Sequence, residues 1–509
     1  MKKILLLSGL LLLSLWMVSC KDSLEDSTFA TATEQPVGIY LDGQPEYSEW
    51  VKLLRRTNLF NALNISATKF TCFVADNEAI QAYLQEKGYA TVDDIPLADA
   101  IYLVRYHIIP GNAYAHSSFS GQILDTTASG DYLTVKYRDG GINAMYVNDA
   151  SLIIRKDIQA LNGYIHKIDK LLDPITESVW DLIAQQNDRY SIFQEALQLC
   201  GLEEWLKVRN KTVNEISIRD YKTIFIVSNE TFQAAGINSL EDLKNRFPSQ
   251  DYTSEDSDLR QFIMYHIINS YSDFAQLAEF DKDATVKTKN YETLATNQLL
   301  SVEDLNKKLV INRYADSVLL VPDRYDQQAN NGYLHEVDNI MPIATPRPAK
   351  LIWEFTDIED CRILAEYRKP VADQTKYAID RENAVDIEWF TVPDKPTAVQ
   401  YNRRVGWTNS DLLWVSLGNV GWVKVRTPVI VKGTYKITIR KFQWGTRGKT
   451  QLYIDDEKIG PVLNFSGGGG ENVVLGNKTF PENGRHWVKM VSLKSGDTEV
   501  DQLTFEPVN

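Results

Sequence analysis

The stretch NGYIHKIDKLLDP, residues 162–174, returns as NGYLHEVDNIMPI at residues 331–343. Each copy sets a histidine, His166 or His335, among apolar residues: Ile165 and Ile168 in the first, Leu334 and Val337 in the second. Short apolar runs of this kind read as strands, and a histidine inside one is expected to satisfy buried backbone or carboxylate groups rather than to do chemistry. A phrase this specific, written twice, points to a duplicated unit.

Two further landmarks recur in the same order. FTCFVADNEAI (70–80) is matched by YKTIFIVSNETF (221–232), and YHIIPG (106–111) by YHIINS (265–270). The spacing grows from the first landmark to the last, as in a duplicated domain with loop insertions, whereas a solenoid keeps a short fixed period. The insertions are expected at Arg246–Ser257 and Asp281–Asp304. Within each copy, runs such as TCFVA and TIFIV read as strands and NEAIQAYLQEKG as a helix stopped by Gly88. SEWVKLLRRTNLF puts Trp50, Leu53, Leu54 and Phe60 on one helical face, and Asp139-Gly140 marks a hairpin.

Together the N-terminal helix, the T-x-F strand, the Tyr-His step and the closing NG-aromatic-x-His strand resemble the fasciclin domain. The resemblance covers residues 45–175 and 176–345 and implies two α+β units that act as interaction platforms. A Tyr-His pair is discussed as adhesive in animal members, but Tyr106-His107 and Tyr265-His266 lie in apolar runs and are expected to be buried.

The third region, 346–509, begins in the proline-punctuated MPIATPRPAK and changes in composition. Seven of the chain's 11 tryptophans lie beyond residue 350. WVKVRTPVIV, TYKITIRKF, TQLYIDD, WVKMVSL and DQLTFEP read as successive strands of an all-β jelly-roll sandwich. Their order resembles galactose-binding-like domains, a class that includes many carbohydrate-binding modules. Asp455-Asp456 stands where Asp-Gly is common, and Gly467–Gly470 reads as a flexible loop. Trp422 and Trp487 sit in alternating strands and are expected in the core. Trp407 and Trp444 sit in turn-rich stretches and are expected to offer a ring face to a sugar, with Asn409, Asp411 and Arg447 as hydrogen-bonding neighbours. GTRGKT (445–450) lacks the first glycine of a phosphate-binding loop and joins two strands, so it reads as a hairpin turn.

At 509 residues the chain is sized for about three domains. Its net charge of −14 argues against a nucleic-acid partner. The acidic excess lies in residues 1–350, since 351–509 balance at 21 basic and 21 acidic residues. Lys2 and Lys3 precede the apolar run Ile4–Val18 and then MVSC, which resembles a lipoprotein signal (1–19) with Cys20 as the acylated residue. Lys21, Asp22, Glu25 and Asp26 are similar to a surface-export tag, and residues 20–44 read as a tether. Cys72, Cys200 and Cys361 fall in three different domains and are expected as buried thiols. No catalytic or metal-ligating constellation and no cofactor motif is apparent.

The expected function is therefore non-enzymatic. The chain reads as an outer-membrane, lipid-anchored surface lipoprotein whose C-terminal module binds a glycan, with a SusC/SusD-type transporter as a partner by analogy. The alternative is an adhesin that binds a matrix or cell-surface protein through the fasciclin domains.

Overall fold

The computed structural model describes residues 35–508 except 120, 124, 139–140, 214–215, 281–286, 307, 316, 365–366 and 369–374. Cys20, the signal segment and most of the tether lie outside the described residues. The chain divides into two compact units, residues 1–174 and 175–509.

The first unit begins earlier than expected. Residues assigned to the tether form the helix Val37–Asp42, whose Val37 and Leu41 are fully buried in the first core. Asn162 explains why: its Oδ1 accepts the Val37 N–H at 2.9 Å, while its Nδ2 donates to the carbonyls of Leu63 and Ile65. One asparagine ties the domain's first helix to its closing strand.

Seven strands follow: β1 (Phe70–Ala75), β2 (Ile108–Pro110), β3 (Gly121–Gln122), β4 (Thr134–Tyr137), β5 (Met145–Val147), β6 (Ser151–Ala160) and β7 (Gly163–Ile168). Their order is β2-β1-β7-β6-β5-β4-β3, with β1 and β7 parallel. Every residue of β1 is buried, as a central parallel strand requires. Asp76 caps the next helix, Asn77–Lys87, by accepting the Ala79 N–H, and Gly88 ends it in the left-handed region at φ 76°. The Asp139-Gly140 turn lies outside the described residues, but the strands on either side, β4 and β5, pair antiparallel.

The second unit opens with the repeated domain. It contains β8 (Asn210–Val213), β9 (Ile216–Arg219), β10 (Lys222–Val227), β11 (Ile267–Ile268), β12 (Thr288–Glu292), β13 (Leu299–Leu305), β14 (Lys308–Ile311), β15 (Val318–Leu319), β16 (Gln327–Ala329) and β17 (Gly332–Val337). The order β11-β10-β17-β16 repeats the β2-β1-β7-β6 arrangement, again with the two central strands parallel. β12 to β15 form a separate antiparallel sheet. The expected insertion at 281–304 is therefore largely a strand pair, β12 with β13, in the place that β3 and β4 hold in the first copy. β8 and β9 form a hairpin with no counterpart in the first copy among the described residues.

The repeated phrase has the same mechanical meaning in both copies. Asn331 accepts the Val179 N–H and donates to the carbonyls of Leu206 and Val208, as Asn162 does in its own domain. Gly163 and Gly332 sit where a Cβ would stand 2.0 Å from the Phe70 carbonyl oxygen and 1.7 Å from that of Lys222, so no other residue fits. His166 Nε2 donates to the Tyr114 carbonyl at 2.9 Å, and its Nδ1 accepts the Asp157 N–H at 3.4 Å. His335 repeats this with Ser272 and Asp326 at 2.9 and 3.1 Å. Both histidines are fully buried, and burial lowers the pKa of each, that of His335 to about 4.

The Tyr-His pairs are interior too. His107 Nδ1 donates to the Leu103 carbonyl and its Nε2 accepts the Leu172 N–H, both at 2.8 Å. Tyr106 and Tyr265 are buried and accept hydrogen bonds from Asn148 and Asn312 respectively.

The remainder of the second unit is a β-sandwich. Its strands are β18 (Leu351–Glu354), β19 (Lys376–Ala378), β20 (Ile387–Thr391), β21 (Val399–Arg403), β22 (Asp411–Ser416), β23 (Gly421–Arg426), β24 (Gly433–Gly445), β25 (Lys449–Ile454), β26 (Glu457–Asn464), β27 (Gly467–Phe480), β28 (Trp487–Lys494) and β29 (Asp497–Pro507). One sheet runs β19-β21-β22-β29-β24-β27, with β18 also paired to β29, and the other runs β20-β23-β28-β25-β26. Ile437, Ile439, Val423, Val425, Leu503 and Phe505 belong to the core between them. The runs TYKITIRKF, TQLYI, WVKMVSL and DQLTFEP are strands in the order expected, whereas WVKVRTPVIV is strand only over residues 422–426.

Two turn readings change. Gly467–Gly470 is not a loop but the start of β27, paired with the end of β24. GTRGKT does not close a hairpin, because β24 and β25 belong to opposite sheets and residues 446–448 cross between them. The sandwich also packs on the repeated domain: Leu299 meets Val429 and Val431, and Glu292 is 2.6 Å from Arg485 and accepts the Val429 N–H.

Candidate functional site

The outer face of the seven-stranded sheet is built by the alternation of β24. Ile437 and Ile439 point into the core, so Arg440, Phe442 and Trp444 point out. Trp444 is 55% exposed, which makes it the most open tryptophan among the described residues. Its cross-strand partner is Gly468, and Phe442 faces Gly470. A Cβ at Gly468 or Gly469 would meet nothing within 4 Å, so the glycine run leaves open space beside the aromatic end of β24.

Charged groups frame that end. The Arg404 guanidinium lies 5.3 Å from the Trp444 ring centroid. Arg404 and Arg447 both bond Glu499, each at 3.2 Å, and Arg447 also bonds Asp497 at 2.6 Å. Glu499 is nearly buried, so the two guanidinium groups are fixed by a shared carboxylate rather than waving in solvent. The result is an exposed indole beside held hydrogen-bond donors.

Trp407 does not match its expectation. It is only 7% exposed and lies against Phe442, centroids 4.6 Å apart, in a small apolar cluster with Leu412 and Trp414. It supports the floor on which Trp444 stands and offers no free ring face. The 3-10 turn after it, Thr408–Ser410, carries Asn409 and Ser410 in the left-handed region, and Thr408 is bonded by Arg440.

Asn409 and Asp411 join a neighbouring, mostly internal network. Asn409 Nδ2 donates to Glu354 at 2.7 Å, and Asp411 accepts from Thr356, Tyr401 and Arg368. Arg368 also bonds Glu354 at 2.9 Å. Burial is the largest influence on both acids, raising Glu354 to about 7 and raising Asp411 as well, against the opposing pull of Arg368. Asp411 is about 1% exposed, so it serves the fold rather than a ligand. Of the five residues singled out in the sequence, the structure brings Trp407, Trp444 and Arg447 to one face and places Asn409 and Asp411 in the adjoining network.

Trp422 and Trp487 also differ from expectation. In β23 and β28 the core positions are Val423, Val425, Val488 and Met490, so both indoles stand on the outer face of the five-stranded sheet. Phe442, Arg404 and Glu499 were not singled out in the sequence. The signal for Phe442 was partial, because the apolar phase of TYKITIRKFQWG changes across Arg440-Lys441, after which Phe442 and Trp444 share the outward phase.

The Fasciclin domain family model matches residues 45–174 and 188–343, and the chain belongs to the fasciclin domain family. Protein sll1483 of Synechocystis sp. is 30% identical over 136 residues, which are 26% of this chain and 69% of that protein. Transforming growth factor-beta-induced protein ig-h3 of Sus scrofa is 24% identical over 291 residues, 57% of this chain but only 37% of that protein. Among solved structures, the FAS1 domain pair of the insect cell adhesion molecule fasciclin I is 14% identical with a TM-score of 0.26, covering 57% of this chain and 92% of that one. A family 35 carbohydrate binding module from Clostridium thermocellum is 15% identical with a TM-score of 0.19, covering 26% of this chain and 98% of that one.

Proposed function

We propose that this chain is a non-enzymatic surface lipoprotein, acylated at Cys20 and held at the outer membrane, whose fasciclin domains serve as an interaction platform and whose sandwich binds a glycan. The observation that carries the glycan reading is Trp444: a half-exposed indole with open space beside it and guanidinium groups fixed next to it by Glu499. Such a ring stacks on the apolar face of a sugar, and the arginines donate to its hydroxyls.

The buried Tyr-His pairs direct the platform role elsewhere, to surfaces of the fasciclin domains other than that motif. A transporter of the SusC/SusD type is the partner this arrangement suits, with the lipid anchor keeping a captured glycan close to the importer. A glycan array probed with the full chain and with Trp444→Ala tests the reading. Sugar binding by the parent that the variant loses supports it. Binding of a matrix protein and of no sugar replaces it with an adhesin.

A further inference from the structure

The outer face of the five-stranded sheet, on the other side of the sandwich from Trp444, sets an aromatic pair beside lysines on directly opposed strand positions. Phe390 lies directly opposite Trp422, and the two rings stack at 6.5 Å between centroids. One row further, Lys424 lies directly opposite Lys489, which is opposite Tyr453, which is opposite Lys458. Like charges directly opposed on adjacent strands repel. Lys424 is 2.9 Å from Glu388 and Lys489 is 3.7 Å from Asp456, but these carboxylates are 51% and 89% exposed and neutralise little. Arg426, at the end of β23, has no ion pair among the described residues.

Rings hold the cations in place as well as these acids, Glu388 being the cross-strand neighbour of Lys424 on its other side. Lys424 Nζ lies 4.4 Å from the Trp487 centroid and 5.9 Å from that of Trp422, while Lys489 Nζ lies 5.2 Å from Trp422. Each ammonium rests near an aromatic surface and keeps its remaining donors for solvent. Phe390 is 43% exposed at the edge of the same face.

We infer that this face binds an acidic polysaccharide, a uronate-bearing chain lying across the strands. The aromatic row and the cationic row lie two residues apart along β23, about 6.8 Å, and so stand side by side on one face. Sugar rings cover Phe390 and Trp422, while carboxylates sit over Lys424 and Lys489 and relieve their repulsion. Charge favours this occupant over nucleic acid or an anionic membrane. Those surfaces extend far beyond one sheet face and meet the rest of a chain whose net charge is −14, whereas a single polysaccharide strand meets only the local cations. The site is independent of Trp444, so either can fail without the other.

The test is affinity electrophoresis of the full chain in gels containing polygalacturonate, a neutral glucan or no polymer, with circular dichroism as the folding control. Polygalacturonate should retard the parent, high salt should release it, and Lys424→Glu with Lys489→Glu should weaken retardation by about tenfold or more. Trp422→Ala should weaken it as well. If the double glutamate variant fails to fold, Lys424→Gln with Lys489→Gln gives the same reading, because removing both charges still removes the attraction. An unretarded parent, retardation indifferent to both double variants, or preferential binding of duplex DNA or anionic phospholipid vesicles overturns the inference.

Discussion

Gly163 crosses Phe70 so closely that a Cβ on the glycine would stand 2.0 Å from the Phe70 carbonyl oxygen, and Gly332 meets Lys222 in the same way at 1.7 Å. The parallel pairing of β1 with β7, and of β10 with β17, depends on this approach. Gly163→Ala or Gly332→Ala should therefore cost about 3 kcal/mol or more, well above an ordinary surface change, with loss of the parallel pairing. Urea denaturation of each variant checks it, and unchanged stability would show that the strands have room to separate.

The histidines set an acid limit on the fold. Burial lowers His107, His266 and His335 to about 4 from an ordinary value near 6.5, so the unfolded chain binds protons that the folded chain excludes. Their contribution to stability is complete above about pH 6.5 and is lost as pH falls toward 4. His335→Ala should cost about 1–3 kcal/mol at pH 7 by stranding the Asp326 N–H and the Ser272 carbonyl, and should flatten this acid slope. Melting curves from pH 7.5 to 4.5 read both effects.

Glu354 works in the opposite sense. Burial raises it to about 7, so the folded chain keeps a proton that the unfolded chain releases, and this group's contribution falls as pH rises from about 4.5 toward 7. Glu354→Gln should make the sandwich less sensitive to pH in that window, with melting followed by tryptophan fluorescence. An unchanged dependence in the variant would mean that the Glu354 carboxyl is ionised throughout that window.

The two tryptophans first grouped together should separate in their effects. Trp407→Ala removes a buried ring packed on Phe442 and should destabilise the sandwich by about 3–5 kcal/mol. Trp444→Ala removes a half-exposed ring and should leave the melting temperature within about a degree or two. Thermal unfolding of both variants distinguishes floor from binding surface.

The duplication and the sandwich were legible in the sequence because their signals are local. NG-aromatic-x-His names an asparagine clamp, a glycine crossing and a histidine bridge, and strand alternation marks the sheets. Side-chain facing was less legible. Trp422 and Trp487 looked like core because they are large and apolar, yet Val423, Val425, Val488 and Met490 hold the inner positions and the strand period sends the indoles outward. Trp407 looked exposed because its neighbours are turn residues, but its ring packs on Phe442 with Leu412 and Trp414, contacts that a local reading does not reveal. The helix Val37–Asp42 is too short to show a helical period and is fixed by Asn162, far along the chain, so it read as tether.

The sandwich is proposed to hold a glycan at Trp444. Isothermal titration of an array-positive oligosaccharide into the full chain and into Trp444→Ala tests it most directly. The parent should bind, and the variant, folded and equally stable, should lose about 1–3 kcal/mol of affinity. Equal affinity in the two proteins would contradict it.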